Sequence, residues 1–546
     1  MRDHFVSVDR SVTPSALIFS DNFNVASSFI DRHMSEGRGG ETVIRAEAGS
    51  VTYAELATSV NQCGNALRAM GLAPGDRVLM AVKDCAEFFY IFWGAIKAGF
   101  VPAPLNTLLR ASDYKFMIEK SQCAAMIYSP EFGGEIESAL AMSDHKPAHI
   151  HATEGEVGQD GEGVVGQGAE LMVDLINAAP TTLEPAPATA DSDCFWLFSS
   201  GSTGTPKAAV HAHRDMVATS EFYGVGVLGL DEDAVCFSAA KLFFAYGLGN
   251  AMTFPLWVGG QAVLFPARPT PDDMFSMIEA YKPTCYFGVP TLYAAQLQSL
   301  DSRAADGGAA PDLSSLQYCV SAGEPLPGDI LRRWKEQTGL DILDGIGTTE
   351  ILHIFISNHR GDVKAGTSGQ IVPGYEARIV DEHGDDVSMG EIGGLRIKGG
   401  STLKYYWRNP EKSAETIHDG WVHTGDTYYQ DEDGYFVCCG RSDDMMKVGG
   451  IWCSPVEIEA RLIEHPKVLE AAIVGRPDDN ELIKPEAYII LVDGAVGDDA
   501  LMSALIEHCK AGLAPYKYPR WFNFVAELPK TATGKIQRFK LRNAAV

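Results

Sequence analysis

Two apolar patterns alternate between residues 51 and 128, and this alternation restricts the possible folds more than any other feature of the sequence. Apolar residues recur at helical spacing from Tyr53 to Leu67, and a continuous apolar run follows from Val78 to Val82. The first pattern is typical of an amphipathic helix and the second of a buried strand. Since helices that alternate with apolar strands cover the faces of a parallel sheet, we predict an α/β fold with a largely parallel sheet.

The length of the chain indicates more than one domain. At 546 residues, it exceeds the size at which a single hydrophobic core stops growing. Residues 153–169 are rich in Gly and Glu, and residues 178–192 in Ala, Pro and Thr, so we interpret both stretches as surface loops or linkers. We predict a large domain over 1–440 and a small α+β domain over 441–546.

The predicted small domain has its own helix and strand signals. Ser454 precedes Pro455 and is followed three residues later by Glu457, which is the pattern of a capped helix start. Apolar runs at 468–475 and 486–492 predict two strands after that helix.

Charge and cysteine content narrow the expected surroundings. The net charge of -28 disfavours binding to nucleic acid or to anionic membranes, so any phosphate site must carry local positive charge. The 11 cysteines are scattered without a CxxC pair, which indicates free thiols in a reducing compartment. The sequence shows neither a signal-peptide pattern nor 18 consecutive apolar residues. We therefore expect a cytoplasmic protein without nucleic-acid or membrane partners, and a homodimer is left open.

A loop of small polar residues follows the strand-like segment 195–198. The candidate anion-binding residues in it are Ser199, Ser200, Gly201, Ser202, Thr203, Gly204 and Lys207. Glycines let backbone N–H groups converge, hydroxyls donate hydrogen bonds and the lysine supplies charge, so such a loop can wrap a phosphate. It is not a P-loop, because the spacing differs and Pro206 has no N–H. The alternative is a flexible Ser/Gly turn of a hairpin.

This loop closely resembles the phosphate-binding signature of the adenylate-forming superfamily, which includes acyl-CoA synthetases, peptide adenylation domains and luciferases. Segments 344–350, 421–426, 440–450 and 529–535 resemble further motifs of that superfamily in the same order. Ala208 departs from the pattern, since the family usually has glycine there. Each segment alone has a plainer interpretation: a glycine turn, a charged turn or a surface lysine. Five matches in family order are jointly specific.

The resemblance implies the roles of the matched residues. Lys535 would be a mobile catalytic lysine, Glu350 would hold Mg²⁺ and Thr349 would hydrogen-bond the α-phosphate. Asp426 would accept hydrogen bonds from the ribose, and Arg441 would contact phosphate or ribose. The other nucleotide- and coenzyme-binding residues implied, beyond the Ser199–Lys207 loop, are Gly323, Glu324, Asp344, Gly345, Ile346, Thr348, Gly449 and Gly450.

The resemblance also implies an architecture and a motion. The large N-terminal domain would consist of helix-covered, mostly parallel sheets and a β-barrel-like subdomain. The small C-terminal domain would be mobile, with a hinge near Asp443. Its rotation would withdraw Lys535 and bring Gly449 and Gly450 beside the pantetheine of CoA.

Segments 241–250, 286–293, 321–327 and 346–358 resemble one branch of the superfamily, the benzoate–CoA ligases. The implied pocket for a small flat acid consists of Phe244, Ala245, Tyr246, Ala322, Gly323, Ile346, Gly347, His353 and Ile354. Without the resemblance, a plain core strand is the favoured interpretation of the aromatic segment 241–250. His353 is open to two interpretations, a satisfied buried histidine or a donor to a ring substituent.

We therefore expect an ATP-dependent aryl acid–CoA ligase that uses ATP, Mg²⁺ and coenzyme A. It would adenylate benzoate or a close aromatic acid with release of pyrophosphate, and then transfer the acyl group to the CoA thiol with release of AMP. The main alternative is a stand-alone adenylation enzyme that loads a carrier protein, against which we count the absence of a carrier segment before Val546. The intact Lys207, Glu350 and Lys535 argue against a non-catalytic binding protein.

Overall fold

The computed structural model describes residues 3–154, 171–200, 206–448, 451–478, 482–514, 516–530 and 535–544. Its strands are β1 (Val6–Asp9), β2 (Ala16–Phe19), β3 (Thr42–Ala46), β4 (Gly49–Thr52), β5 (Arg77–Ala81), β6 (Val101–Pro104), β7 (Ala125–Tyr128), β8 (His149–Ala152), β9 (Asp193–Ser200), β10 (Pro206–Ala212), β11 (Val235–Ser238), β12 (Gln261–Val263), β13 (Cys285–Gly288), β14 (Tyr318–Ser321), β15 (Ile342–Gly347), β16 (Ile354–Ser357), β17 (Gln370–Ile371), β18 (Tyr375–Val380), β19 (Gly393–Gly399), β20 (Tyr405–Tyr406), β21 (Ile417–His418), β22 (Trp421–Gln430), β23 (Phe436–Arg441), β24 (Met446–Val448), β25 (Ile451–Cys453), β26 (Val468–Pro477), β27 (Ile483–Leu491) and β28 (Trp521–Phe524). Its α-helices are α1 (Arg32–Ser35), α2 (Tyr53–Ala69), α3 (Ala86–Ala98), α4 (Ala111–Ser121), α5 (Gly133–Met142), α6 (Met172–Ala178), α7 (His213–Thr219), α8 (Ala245–Leu248), α9 (Phe254–Val258), α10 (Pro271–Tyr281), α11 (Pro290–Ala305), α12 (Gly328–Thr338), α13 (Pro410–Thr416), α14 (Pro455–Ile463), α15 (Asp499–Gly512) and α16 (Arg538–Ala544).

Two sheets whose central strands are parallel form the framework of the chain before residue 372. The larger has nine strands in the order β17-β16-β15-β14-β13-β11-β12-β3-β4, and it is parallel from β15 to β3 with antiparallel strands at both ends. The smaller, β6-β5-β7-β8, is parallel throughout. The predicted α/β class with a largely parallel sheet is confirmed.

The alternating patterns between residues 51 and 128 fold as predicted. The helical spacing corresponds to α2, which Thr52 and Glu55 start with a reciprocal capping box. The apolar run that follows is β5, and four of its five residues are buried. The apolar stretch after Ala86 is the buried helix α3, which ends at Gly99 in the left-handed conformation.

The segment 178–192, predicted to be a surface loop, has no helix or strand after Ala178 but is fixed to α2. The side-chain amide of Asn65 donates to the carbonyl oxygens of Pro180 and Thr182, both at 2.8 Å. Leu183 is buried in the core that contains α2 and α3. The segment therefore acts as a strap across the helix. Most of the other predicted loop, 153–169, lies outside the described residues.

Two antiparallel sheets accompany the parallel ones. β9, β10 and β20 form one of three strands, and β18, β19, β22, β21 and β23 form one of five. The five-stranded sheet occupies the part of the chain before residue 441 where a barrel-like subdomain was expected.

The chain after residue 441 builds a small core of its own. α14 and α15 pack on the β26-β27-β28 sheet, with Ile458, Ile473, Ile489 and Leu505 buried between them. Ser454 caps α14 as predicted, since its Oγ accepts the N–H of Glu457 at 3.2 Å. The two predicted strands are β26 and β27. Within the described ranges, no helix combines the length and apolarity needed to cross a bilayer.

Candidate functional site

A cleft of about 1250 Å³ lies between the large sheets and the C-terminal segment. It brings together residues from most of the predicted motifs. Those that line it are Ser199, Lys207, Phe244, Gly323, Glu324, Asp344, Gly345, Ile346, Gly347, Thr348, Thr349, Glu350, Asp426, Arg441, Asp443 and Lys535. Gly201, Ser202, Thr203, Gly204, Gly449, Gly450 and the side chain of Ser200 lie outside the described residues.

The antiparallel strands β9 and β10 place the two ends of the predicted phosphate-binding segment, Ser199 and Lys207, at the cleft. Lys207 is paired with Ser199 across these strands. Burial lowers the pKa of Lys207, and the positive charge of Lys412 lowers it further. An anion bound between these lysines would oppose both effects and raise the pKa of Lys207 again. Ala208, the departure from the family pattern, lies within β10 with its methyl group buried.

Glu350 lies on a 3₁₀ turn, Thr349–Ile351, directly after β15. Its Oε1 accepts hydrogen bonds from Ser199 Oγ at 3.1 Å and from the Tyr406 hydroxyl at 2.6 Å. These bonds orient the carboxylate from two other elements. Leu352 follows with φ of 71°, a conformation that is strained for a bulky residue and reverses the chain into β16.

His211 and Asp215 form a buried pair that the sequence analysis missed. His211 Nε2 lies 2.9 Å from the carbonyl oxygen of Thr349, which only accepts, so Nε2 carries a proton. Nδ1 lies 2.9 Å from Asp215 Oδ2, so one further proton lies between those two atoms. The pair ties the turn that carries Glu350 to β10. A histidine followed four residues later by aspartate, at a strand-to-helix boundary, was the available signal. Tyr406 had no signal of this kind.

Asp426 and Arg441 are register partners on β22 and β23. Arg441 Nη1 donates to Asp426 Oδ1 at 3.0 Å and to the carbonyl oxygen of Thr424 at 2.9 Å. Gly425 has φ of 75°, and a β-carbon there would lie 2.6 Å from the Arg441 guanidinium. Glycine is therefore required for this close approach.

Some buried polar atoms on the cleft wall lack a hydrogen-bond partner within the described residues. Asp344 Oδ1 and Thr348 Oγ1, both in the segment 344–350, are among them. Burial raises the pKa of Asp344 well above its usual range. Buried polar groups without partners are uncommon, so both atoms suit a polar ligand in the cleft.

The predicted acid-pocket residues fall into two groups. Phe244, Gly323, Ile346 and Gly347 line the cleft. The remaining five are not among its lining residues in the described part of the chain: Ala245, Tyr246, Ala322, His353 and Ile354. Four of these five residues pack against one another or within one buried cluster. The Tyr246 and His353 rings lie 5.6 Å apart, and Ala322 and Ile354 belong to the same cluster.

His353 makes buried hydrogen bonds through Nε2, but its Nδ1 is buried without a hydrogen-bond partner among the described residues, so the first of its two interpretations, a satisfied buried histidine, holds for one ring nitrogen only. It is 3% exposed, and its Nε2 lies 3.1 Å from Asn250 Oδ1 and 3.3 Å from the Tyr246 carbonyl oxygen. Because the carbonyl only accepts, Nε2 carries the proton. Burial lowers the pKa of His353 to about 3, so the folded protein holds the ring neutral.

We expect His353 to destabilise the fold as the pH falls from about 6.5, because the unfolded chain then binds a proton that the native ring does not. The contribution of the neutral ring to the free energy of unfolding is complete above pH 6.5. Below that pH, the free energy of unfolding falls by about 1.4 kcal/mol per pH unit. Thermal unfolding of wild type and His353→Gln, measured at pH 7.5 and 5.5, should show the stability advantage of wild type narrowing. His383→Gln, at a side chain that is 75% exposed, is the control and should not narrow it. A constant difference for His353→Gln would contradict a neutral buried ring.

The C-terminal segment meets the cleft at Lys535 and Ile536. Lys535 lines the cleft, and the N–H of Ile536 donates to Glu324 Oε1 at 3.0 Å. Arg542, on α16, donates to the carbonyl oxygen of Asp443, the predicted hinge, at 3.0 Å. The structure thus places the terminal segment against both the cleft and the predicted hinge.

The residues present fit Mg²⁺ better than a softer metal. Among the described residues, no group of three or more His, Cys, Asp or Glu side chains could hold an ion alone. Glu350 offers one oriented carboxylate, with hydroxyl oxygens beside it. Mg²⁺ takes oxygen ligands, keeps several waters and is commonly held by one or two carboxylates together with substrate phosphates.

Comparisons with known proteins agree on the type of protein. The AMP-binding enzyme family matches residues 31–407, and the AMP-binding enzyme C-terminal domain matches residues 457–535. A benzoate–CoA ligase of Thauera aromatica is 48% identical over 540 residues, which cover 98% of this chain and 99% of that protein. A 4-hydroxybenzoate–CoA/benzoate–CoA ligase of Rhodopseudomonas palustris is 42% identical, covering 95% and 94%.

Solved structures give the same result. The anthranilate CoA ligase AuaEII in complex with anthranoyl-AMP matches with a TM-score of 0.90 and 42% identity, covering 96% of this chain and 98% of that one. A benzoate CoA ligase from Burkholderia xenovorans LB400 matches with a TM-score of 0.86 and 41% identity, covering 95% and 100%.

Proposed function

We propose, because the chain belongs to the AMP-binding enzyme family, that it is an ATP-dependent aryl acid–CoA ligase. In the first half-reaction, a carboxylate oxygen of benzoate or a close aromatic acid attacks the α-phosphorus of ATP. The bond from that phosphorus to the β-phosphate bridging oxygen breaks, and pyrophosphate leaves. In the second, the CoA sulfur attacks the acyl carbon, AMP leaves and the thiol proton is released.

The observation that carries this proposal is the cleft that gathers Lys207, Glu350, Asp426, Arg441 and Lys535. A carboxylate and a triphosphate repel each other, and the net charge of -28 adds to the difficulty. Fixed cations at the point of attack remove that repulsion, and such electrostatic stabilisation is usually the largest catalytic contribution. No protein nucleophile is needed, since the substrate supplies it.

In the proposed nucleotide site, each residue has a role that suits its chemistry. Lys207 would bind the phosphates at the hairpin, and Lys535 would neutralise the charge that develops at the α-phosphorus. Asp426 would accept hydrogen bonds from the ribose hydroxyls, and Arg441 would hold the carboxylate of Asp426 in place. Asp344 Oδ1 would accept a hydrogen bond from the amino group of adenine. Mg²⁺ held by Glu350 would neutralise phosphate charge when bound.

The proposed acid site is small and mostly apolar. Phe244, Gly323, Ile346 and Gly347 line the cleft, and the open space beside Gly323 leaves room for a ring to lie against backbone. Relatives named for benzoate, hydroxybenzoates and anthranilate support an aromatic acid of one ring. An apolar pocket discriminates substituents weakly, by about 1–3 kcal/mol per methylene-sized group. Benzoate itself is the substrate that we propose first.

We further propose that residues 441–546 rotate about Asp443 between the two half-reactions. Lys535 lies at the cleft in this structure, which suits the adenylate-forming step. The thiol of CoA needs access to the same carbonyl, so the lysine has to move away and Gly449 and Gly450 would take its place. A few backbone torsions at the hinge absorb such a rotation.

We expect the purified protein to release pyrophosphate with ATP, Mg²⁺ and benzoate, and to form AMP and benzoyl-CoA when free CoA is added. A screen of benzoate, its hydroxy, amino and halo derivatives, short fatty acids and cyclohexane carboxylate would rank the acids. Parallel reactions with free CoA and with a phosphopantetheinyl carrier protein would separate a CoA ligase from a carrier-loading enzyme. Acylation of the carrier alone would contradict the proposal, as would no AMP with any aryl acid.

A further inference from the structure

One hydrogen bond joins residue 324 of the predicted large domain to the loop that carries Lys535. Glu324 follows β14, and its Oε1 accepts the N–H of Ile536 at 3.0 Å across 212 positions of the chain. Ile536 is the next residue after Lys535. The bond therefore fixes the backbone at the lysine relative to the wall of the cleft.

The charged groups around Glu324 are typical of a contact between the cleft wall and the C-terminal segment. Burial raises the pKa of Glu324 to about 7, while the N–H of Ile536 and the charges of Arg538, Lys535 and Lys530 oppose that rise. All of these opposing groups belong to the segment 530–538. The carboxylate thus lies opposite a cationic stretch of the C-terminal segment, and it loses that environment if the segment moves away.

The segment is held within its own part of the chain by separate contacts. Arg538 Nη2 donates to Glu459 Oε2 on α14 at 2.8 Å, and Lys530 Nζ lies 2.6 Å from Glu470 Oε2 on β26. The N–H of Gln537 donates to the carbonyl oxygen of Pro529 at 2.7 Å. These contacts hold Lys530, Gln537 and Arg538 within the C-terminal part of the chain, whereas the bond to Glu324 links Ile536 to the wall of the cleft.

We propose that Glu324 is a positioning residue that holds the Lys535 loop at the cleft for adenylate formation and releases it for thioester formation. The inference deepens the proposed function and rests on it. The role differs from a nucleotide contact, because Glu324 acts on the loop and reaches the reacting phosphate only through Lys535.

The test measures the two half-reactions separately. Glu324→Ala should lower kcat for adenylate formation by about 10- to 100-fold, the factor expected from a charge-assisted hydrogen bond. Thioester formation from synthetic benzoyl-AMP and CoA should change by less than about threefold, since that step does not need the bond. Glu324→Gln keeps an acceptor oxygen and should restore adenylate formation to within about fivefold of wild type.

A second variant removes the donor instead of the acceptor. Ile536→Pro has no N–H and should reproduce the selective loss of adenylate formation. The double variant Glu324→Ala/Ile536→Pro should lose no more than about threefold beyond either single variant, because both changes remove one bond. Any of three results would overturn the proposal. The first is a double variant whose loss is the product of the two single losses, the second is an equal loss of both half-reactions, and the third is a raised KM for ATP with kcat unchanged.

Hydrogen exchange supplies a readout that does not depend on substrate. The amide of Ile536 should exchange faster in Glu324→Ala than in wild type, and at the wild-type rate in Glu324→Gln. Unchanged exchange in Glu324→Ala overturns the positioning role even if wild type proves to be an aryl acid–CoA ligase. Faster exchange in a protein that forms no AMP with any aryl acid overturns the proposed function and, with it, the catalytic purpose of the bond.

Discussion

Lys535→Ala should lower the rate of adenylate formation by about 10²–10³-fold while leaving thioester formation from benzoyl-AMP and CoA near the wild-type rate. The lysine lines the same cleft as the proposed phosphate-binding residues, and the charge that it would neutralise develops only during attack on the α-phosphorus. The second half-reaction breaks the bond between the acyl carbon and AMP and creates no pentavalent phosphorus. Pyrophosphate release and benzoyl-CoA formation, measured separately by rapid quench, distinguish the two steps.

Lys540→Ala is the matched control for Lys535→Ala. Lys540 is exposed on α16, five positions after Lys535, and it is not among the residues that line the cleft. Its replacement should change neither half-reaction by more than about twofold, as is usual for a surface lysine. Equal loss of both half-reactions in Lys535→Ala would contradict the rotation of the small domain that we propose. Full adenylate formation would remove Lys535 from the catalytic site.

The parts of the fold that the sequence predicted well are those where local patterns decide the structure. Helical spacing in α2, the capping residue Ser454 and the apolar run of β5 each specify their element without distant contacts. The strap at 179–192 shows the limit, because its composition is typical of a linker while Leu183 is buried against a core formed by distant segments.

The candidate site shows the same contrast between features set by local sequence and features set by distant contacts. Short motifs indicated Lys207, Glu350 and Asp426, and all three line one cleft, with Lys207 near the start of β10, Glu350 just after β15 and Asp426 within β22. The hydroxyl of Tyr406 and the His211–Asp215 pair orient those motifs from other elements, and no spacing in the sequence connects them to Glu350. Pairing of β20 with β10 is what brings Tyr406 to the carboxylate. Supporting residues of this kind become visible only in three dimensions.

The acid pocket was the part of the site least determined by sequence. The predicted residues lie at the start of α8, just after β14, at the end of β15 and at the start of β16, but only the fold decides which of them face the cavity. His353 is an example: it neighbours the pocket in the sequence pattern, yet it is 3% exposed and bonded to Asn250 and Tyr246. Substitution there should act on stability and pH dependence first, and on the choice of acid through the position of Tyr246.

Glu350→Gln should raise the Mg²⁺ concentration needed for half-maximal adenylate formation by at least about tenfold, and should lower the maximal rate by about 10²-fold. The amide has the size of the carboxylate and still accepts from Ser199 Oγ and the Tyr406 hydroxyl, so the turn keeps its position. What it loses is the negative charge that attracts a hard cation. A titration of Mg²⁺ at saturating ATP and benzoate measures both effects.

Two comparisons make the Glu350 result specific to the cation. Glu382→Gln removes an equal charge from a side chain that is 87% exposed and is not among the residues that line the cleft, and it should leave the Mg²⁺ titration unchanged. Binding of Mn²⁺, followed by electron paramagnetic resonance with a non-hydrolysable ATP analogue, reports the site without turnover and should weaken in Glu350→Gln alone. If Glu350→Gln binds Mn²⁺ as wild type does and only its rate falls, then the carboxylate organises the hydroxyls around the phosphates and the cation is held elsewhere.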